Sequence, residues 1–261
     1  MLFSVLVWEV NIGYHEDRRV SSGQEEGPLV SLNRFERKKN LPLAVEALGW
    51  AMKNMGAVEG ETKSLRLVIA GGYDERVAEN VEHLEELEAC VAALGLEEFV
   101  EFRRNIGDDE RSTLLRTASC VLYTPSNEHF GIVPVEAMCS GAPVIAVNSG
   151  GPIETVVDGT TGFLCDPTAQ SFGSAIVKLA RDPELAVKMG IDGQRRVHDK
   201  FSMESFAGVF ESSLKDVASA GHLPILRWLR SFCIFLAAYL GGWAASSAAA
   251  KEWQRRSTAR E

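Results

Sequence analysis

Two acidic side chains and a run of cations are the residues with chemistry to offer. In SNEHFGIVPVEA (126–137), Glu128 and Glu136 flank Phe130 and Gly131, with seven residues between the two acids. In NRFERKKN (33–40), Arg34, Arg37, Lys38 and Lys39 crowd positive charge into one short turn. An arginine fork grips phosphate oxygens at two points, and lysine adds a compact charge. A carboxylate beside a phosphate is repelled by it, so its presence needs another reason. Ribose and hexose hydroxyls supply one, because they donate hydrogen bonds that a carboxylate accepts. Cations for a diphosphate and carboxylates for hydroxyls together suggest a sugar nucleotide. Each stretch alone has a plainer reading: a solvated basic turn, and a strand-to-helix loop whose acids suit the helix dipole.

What favours a site is where the flanking elements put these residues. PLVSLNR predicts a short buried strand, and NLPLAVEALGWAMKNM has helical periodicity. LRLVIAGG predicts a strand ending in a Gly-Gly turn. ERVAENVEHLEELEACVAALG predicts a long amphipathic helix stopped by glycine. Strands are expected at FVEF, SCVLYTPS, APVIAVN and TGFLCD, and helices at DDERSTLLRTA, GIVPVEAMCSG and PIETVVDG. Three more helical runs cover 168–181, 183–199 and 203–219. The alternation predicts an α/β fold, a single Rossmann-like parallel sheet with helices on both faces. Ligands of such sheets bind at the carboxyl ends of the strands, where both the basic turn and the acidic loop fall. The helix after that loop is expected to begin near Gly131, with Pro134 in its first turn. The amides of Gly131, Ile132 and Val133 then point out of a helix N-terminus and form an anion site.

The rest of the chain bounds the function. Its 261 residues are 46% hydrophobic and can bury a core. A net charge of −9 argues against sequence-independent nucleic-acid binding. Cys90, Cys120, Cys139, Cys165 and Cys233 lack zinc spacing and read as reduced, mostly buried thiols. Residues 1–28 are expected to be a disordered lead-in or the remnant of a preceding domain, with no secretory signal. Residues 29–219 form the sheet domain. The run 231–250 carries no charge, so 223–250 is expected to be an apolar tail helix. It is long enough to span or lie on a membrane, at roughly 30 Å, or else to pack on a partner domain. Cations on both sides leave its orientation open, and 251–261 is a basic tail. His15, His83, His198 and His222 are expected at surface or helix positions, and Trp50 in packing. Asp74–Arg76 is a further candidate on the binding edge.

SNEHFGIVPVEA resembles the E-x7-E motif of retaining GT-B glycosyltransferases of the GT4 type. GAPVIAVNSGGPIETVVDGTTGFL resembles the stretch that follows it in that family, and SLNRFERKKNLPLAVEA the family's Arg…Lys donor-diphosphate motif. The resemblance runs from Leu29 to Leu214. Within the family, RKKNLPLAVEAL, IAGGYDERVAENVEHLEEL and VLYTPSNEHFGIVP are most similar to the mannosyltransferases of dolichol-linked oligosaccharide synthesis. The resemblance implies the C-terminal, donor-binding half of a GT-B fold. It implies GDP-mannose as donor, a lipid-linked oligosaccharide as acceptor, and the cytosolic face of the endoplasmic reticulum membrane as the place. Arg34 and Lys39 would hold the donor diphosphate and stabilise the leaving group. Glu128 would orient the hexose and Glu136 would accept the ribose hydroxyls. Phe130, Gly131, Ile132 and Val133 would line the phosphate end, and the loop Arg104–Ile106 would hold the base. Arg34, Lys39 and Glu128 are the catalytic candidates. No metal or cofactor is implied. His129 departs from the small residue usual in the wider family. The N-terminal acceptor domain of such enzymes is expected to be missing or separately supplied. Two other readings stay open: a non-catalytic sugar-nucleotide module that needs a partner domain, and a GT4 enzyme with another donor or acceptor.

Overall fold

The structure, a computed structural model, describes residues 27–55, 65–219 and 232. Short aliphatic runs make six strands: β1 (Leu29–Leu32), β2 (Leu67–Gly71), β3 (Val100–Arg104), β4 (Cys120–Tyr123), β5 (Val144–Val147) and β6 (Gly162–Cys165). The helices between and after them are α1 (Pro42–Met55), α2 (Ala78–Leu94), α3 (Asp108–Thr117), α4 (Ile132–Cys139), α5 (Pro152–Thr155), α6 (Ala169–Arg181), α7 (Pro183–Phe201) and α8 (Met203–Ser219). The strands are parallel, in the order β3-β2-β1-β4-β5-β6. This is the α/β sheet that the alternating pattern predicts.

Burial explains the strand sequences. β1, β4 and β5 are buried along their whole length, because helices cover both faces of a parallel sheet. Alternate residues feed two separate cores. Leu29, Leu67, Ile69, Leu122 and Ile145 pack with α1, α2 and α6 on one face. Val30, Val68, Val121, Tyr123 and Val144 pack with α3, α4 and α7 on the other. From β1 the strand order runs outward to β3, then restarts on the far side of β1 and runs outward to β6. The reversal between β1 and β4 is the topological switch point, the place where ligands of such open sheets bind.

Details differ from the sequence expectation in two places. α2 starts at Ala78 and not earlier, because the Asp74 carboxylate accepts from the Arg76 amide (3.0 Å) and guanidinium (2.9 Å) and holds a turn there. α5 is a single turn, because Val156 goes extended and Val157 N–H donates to the Thr161 hydroxyl (2.9 Å). His83 takes a helix position, one of the two expected for it. It is buried on α2, with Nδ1 3.1 Å from Glu86 and Nε2 without a hydrogen bond among the described residues. His198 is exposed, and Trp50 packs against the core, beside Gly173. Cys120 and Cys165 are buried free thiols, and burial pushes the Cys120 thiol up to about 12. Such a thiol is inert at neutral pH.

One compact unit ends at Ser205. The remainder of α8, from Phe206, belongs to a second unit and exposes Phe206, Val209, Phe210, Leu214 and Val217. Among the described residues no helix is long and apolar enough to cross a membrane. The expected lead-in up to residue 26, the basic tail, and the tail helix apart from exposed Phe232 lie outside the described residues, as do His15, His222 and Cys233.

Candidate active site

The loop after β1 is pressed against the end of β2. Asn33 N–H donates to Ala70 O (3.0 Å), and a Cβ on Gly71 would collide with the Asn33 carbonyl. Only glycine allows this approach. The basic run then closes into a short 3-10 turn, Arg37–Lys39, ended by Asn40 in the left-handed region (φ 49°). Thr124, buried at the end of β4, donates its hydroxyl to Lys39 O (2.7 Å). That bond ties the β1 turn to β4 across the switch point. The Lys39 ammonium then meets Glu128 Oε1, and both side chains are largely shielded, at 16% and 29% exposure.

The cations of this turn do not act as one cluster. Lys38 (3.0 Å) and Arg34 (3.7 Å) flank Glu36. Burial alone would raise the Glu36 carboxyl, but Lys38, Arg34 and Lys39 together hold it below its ordinary range. The Arg34 guanidinium is well exposed beside them. Arg37 turns away to α2, where its guanidinium meets Glu82 (2.8 Å) and Glu86 (2.7 Å) and its amide donates to Glu79 (3.2 Å). Glu86 is held down at about 2, first by Arg37 and then by His83. Arg37 therefore anchors the turn and offers nothing to a ligand.

The loop after β4 is shaped by backbone contact. Asn127 (φ 57°) donates its N–H to the Ser149 hydroxyl (3.1 Å), and Gly151 N–H donates to Glu128 O (2.7 Å). A Cβ on Gly150 would strike Glu128 O, and one on Gly151 would strike Phe130 O, C and Cα. The Gly-Gly turn after β5 is thus the floor of the acidic loop. Gly131 caps α4 at φ 71°, a conformation costly for other residues, and a Cβ there would press on the Tyr123 ring at 3.1 Å. Phe130 packs edge-on against Phe201 of α7, with centroids 6.0 Å apart. The amides of Gly131, Ile132 and Val133 donate no hydrogen bond among the described residues, so this N-terminus keeps its capacity for an anion. Beneath it, the Tyr123 phenol is pushed up by burial and then by the charge of Glu128.

Glu136 lies in the second turn of α4 and touches Arg111 of α3 through Oε2. Burial pushes its carboxyl up, against the pull of Arg111. The third group stands at the ends of β2 and β3. Asn105 (φ 53°) accepts from Tyr73 N–H (2.8 Å) and donates to Tyr73 O (2.7 Å), locking the two loops together. Arg104 lies over the Tyr73 ring at 5.0 Å, and Ile106 packs half-buried against the second core. Asp74 is engaged by Arg76.

The structure therefore brings Lys39 and Glu128 into contact and puts Arg34 on the same turn. Glu136 and the Gly131 amides belong to the loop that carries Glu128 and the helix that follows it, and Arg104–Ile106 stands on the same edge, two strands beyond β1. Thr124, Arg111 and the Ser149–Gly151 floor were not singled out by sequence. Arg111 reads there as an ordinary helix-surface cation, and only the Gly-Gly pair carried a visible signal. A cavity of about 420 Å³, lined by Pro28, Arg66, Phe99, Arg103 and Glu110 among others, opens towards the other end of β2 and β3. Arg103 is engaged there by Glu101 (2.7 Å) and Glu110 (3.2 Å), so its charges are already matched.

Residues 15–196 match the family model described as glycosyl transferases group 1. The chain is 52% identical over 178 residues to alpha-1,3/1,6-mannosyltransferase ALG2 of Homo sapiens, covering 68% of this chain and 42% of that protein. It is 50% identical over 181 residues to the protein of the same name from Dictyostelium discoideum, covering 68% and 43%. Among solved structures it resembles a sucrose-phosphate synthase from Thermosynechococcus elongatus, with TM-score 0.62 and 28% identity over 76% of this chain and 47% of that one. The chain spans about half the length of the curated relatives it matches. With the matched stretch containing all six strands and the loops at their switch point, this chain belongs to the glycosyl transferases group 1 family.

Proposed function

We propose that this chain is the donor-binding half of a retaining mannosyltransferase. It would use GDP-mannose and serve a dolichol-diphosphate-linked oligosaccharide, forming α-1,3 or α-1,6 linkages in N-glycan precursor assembly. The cytosolic face of the endoplasmic reticulum membrane is the proposed place, with membrane contact through 223–250. The observation that carries the reading is the meeting of Lys39 and Glu128 at the switch point, held by Thr124. The identity to mannosyltransferases supports the choice of mannose.

The chemistry follows from the geometry. An incoming diphosphate takes Lys39 from Glu128, and the freed carboxylate accepts hydroxyls of the hexose. Arg34, Lys39 and the amides of Gly131, Ile132 and Val133 then meet the charge that grows on the departing GDP. Such preset charge is stronger in the transition state than in the ground state, which is what accelerates a reaction. Glu136 accepts the ribose hydroxyls, and the loop Arg104–Ile106 takes the base. The positive charge comes from side chains, so the proposal includes no metal. The acceptor is presented by an N-terminal GT-B domain.

Calorimetry on the full chain tests the donor. GDP-mannose is expected to bind more than tenfold tighter than UDP-sugars. Tighter UDP-sugar binding would assign another donor, and no heat with any nucleotide would end the reading. A second reading is a non-catalytic sugar-nucleotide-binding module that needs a partner domain. Mannose transfer to a lipid-linked acceptor, with and without an added N-terminal domain, separates the two: transfer once the domain is added supports the first, and nucleotide binding with no transfer in either case supports the second.

A further inference from the structure

We propose that Arg111 is a positioning residue of the nucleotide site: from α3 it holds one oxygen of Glu136 and leaves the other to accept hydroxyls of the bound donor. The inference rests on the donor-site reading above. Arg111 meets Glu136 at Oε2, while Oε1 makes no hydrogen bond among the described residues. The two side chains are 38% and 24% exposed, so solvent screens the pair only in part. One guanidinium fixes the carboxylate's orientation without consuming its acceptor capacity, since an ionised carboxylate has about four lone-pair sites.

The pair has a second consequence. Glu136 can accept hydroxyl hydrogen bonds on both oxygens only while ionised, and burial opposes ionisation. Arg111 is the described charge that acts on it. Cys139, one turn further along α4, is the other titratable group it affects, and that thiol is pushed up by burial and by Glu136 itself. On α7, Arg196 is occupied by the carbonyls of Glu154 (2.6 Å) and Thr155 (2.7 Å) at α5. Strands β4 and β5 bring no charge to Glu136 among the described residues. Removing Arg111 therefore leaves a shielded carboxyl without the one described side-chain charge that favours its ionised form.

The test measures GDP-mannose affinity against pH by calorimetry, on the unaltered full chain, Arg111→Gln and Arg111→Lys. GDP-mannose suits the purpose because its diphosphate is a diester and keeps its charge across the range. Affinity should fall at acid pH as Glu136 takes up a proton. In Arg111→Gln the midpoint of that fall should move up by about 1 pH unit or more, the usual effect of losing an adjacent guanidinium. Arg111→Lys should keep most of the original midpoint. A GDP-mannose analogue with 2′,3′-dideoxyribose should show no such shift, because it lacks the hydroxyls that Glu136 accepts. An unmoved midpoint in Arg111→Gln, with binding otherwise intact, overturns the inference and leaves the donor site standing. No GDP-mannose binding by the unaltered chain removes both. If Arg111→Gln does not fold, Glu136→Gln decides: the part of the acid fall that distinguishes GDP-mannose from its 2′,3′-dideoxyribose analogue should vanish, and its retention overturns the proposal.

Discussion

Lys39 and Arg37 stand two positions apart in one basic turn, yet their surroundings give them different work. Lys39 is shielded and faces Glu128, whereas Arg37 is half-exposed and spends its charge on α2. Lys39→Ala should weaken GDP binding by about 10- to 100-fold, the loss of one hydrogen bond to a charged group. Arg37→Ala should change it far less, and should alter stability little, because exposed ion pairs contribute little. Equal losses in the two variants, read by calorimetry, would dissolve the distinction. Glu136 offers a second residue-scale test. Its carboxyl is raised in the fold, so the folded state holds the proton more tightly than the unfolded chain. That preference favours folding at acid pH and is lost as pH rises through the folded value. At neutral pH the ionised group is thus a net cost. Glu136→Gln should raise Tm by about 2 °C at neutral pH and lose the advantage as pH falls towards the ordinary carboxylate range. The same variant should bind GDP-mannose less tightly, as expected where a site trades stability for function. A lower Tm at neutral pH would contradict this account of Glu136.

At the scale of elements, the acidic loop is held by the turn after β5. Gly151 has an ordinary φ of −56°, so alanine there brings no backbone strain of its own. The obstacle is the Phe130 main chain, which cannot step aside as a side chain can. Gly151→Ala should cost about 1–3 kcal/mol, the range for overpacked sites, and should weaken GDP-mannose binding because the loop of Glu128 must move. Gly159→Ala is the control. Its φ is 72°, but nothing lies within 4 Å of the added carbon and it is far along the chain from the loop. It should lower Tm while leaving binding intact. Paired thermal melts and titrations check both variants, and loss of binding in the control would mean that general destabilisation accounts for the first.

For the whole molecule, the donor should act as a clamp across the switch point, because the ligands proposed for it come from loops on β1, β4 and β3. A ligand that binds only the folded chain stabilises it by mass action, about 2.7 kcal/mol at a concentration 100 times Kd. For a domain of this size that corresponds to a rise in Tm of about 5–10 °C. Calorimetric or fluorescence melts with GDP-mannose should show it, and Lys39→Ala should need more ligand for the same rise. A Tm indifferent to saturating GDP-mannose would count against a donor site built from three loops.

Local signals carry far in this chain. Uniformly apolar runs at β1, β4 and β5 announce strands buried on both faces, and Gly95 ends α2 in the left-handed region (φ 67°) as its place after the helical run predicts. Both are local matters, decided within a few residues by sterics and period. The order of the basic and acidic motifs, each after a strand, was enough to place them on one sheet edge and to suggest phosphate and hydroxyl recognition. The pairings inside the site were not legible. Lys39 and Glu128 are 89 positions apart, Thr124 and the Lys39 carbonyl 85, and Arg111 and Glu136 25. Charges choose partners by distance in space and by how little water lies between them, and neither quantity is written in spacing along the chain. The amino acids by themselves determined the sheet, its carboxyl edge and the kinds of groups on it. Only the tertiary structure decided that Arg37 would serve α2, that Lys39 would meet Glu128, and that Glu136 would meet Arg111.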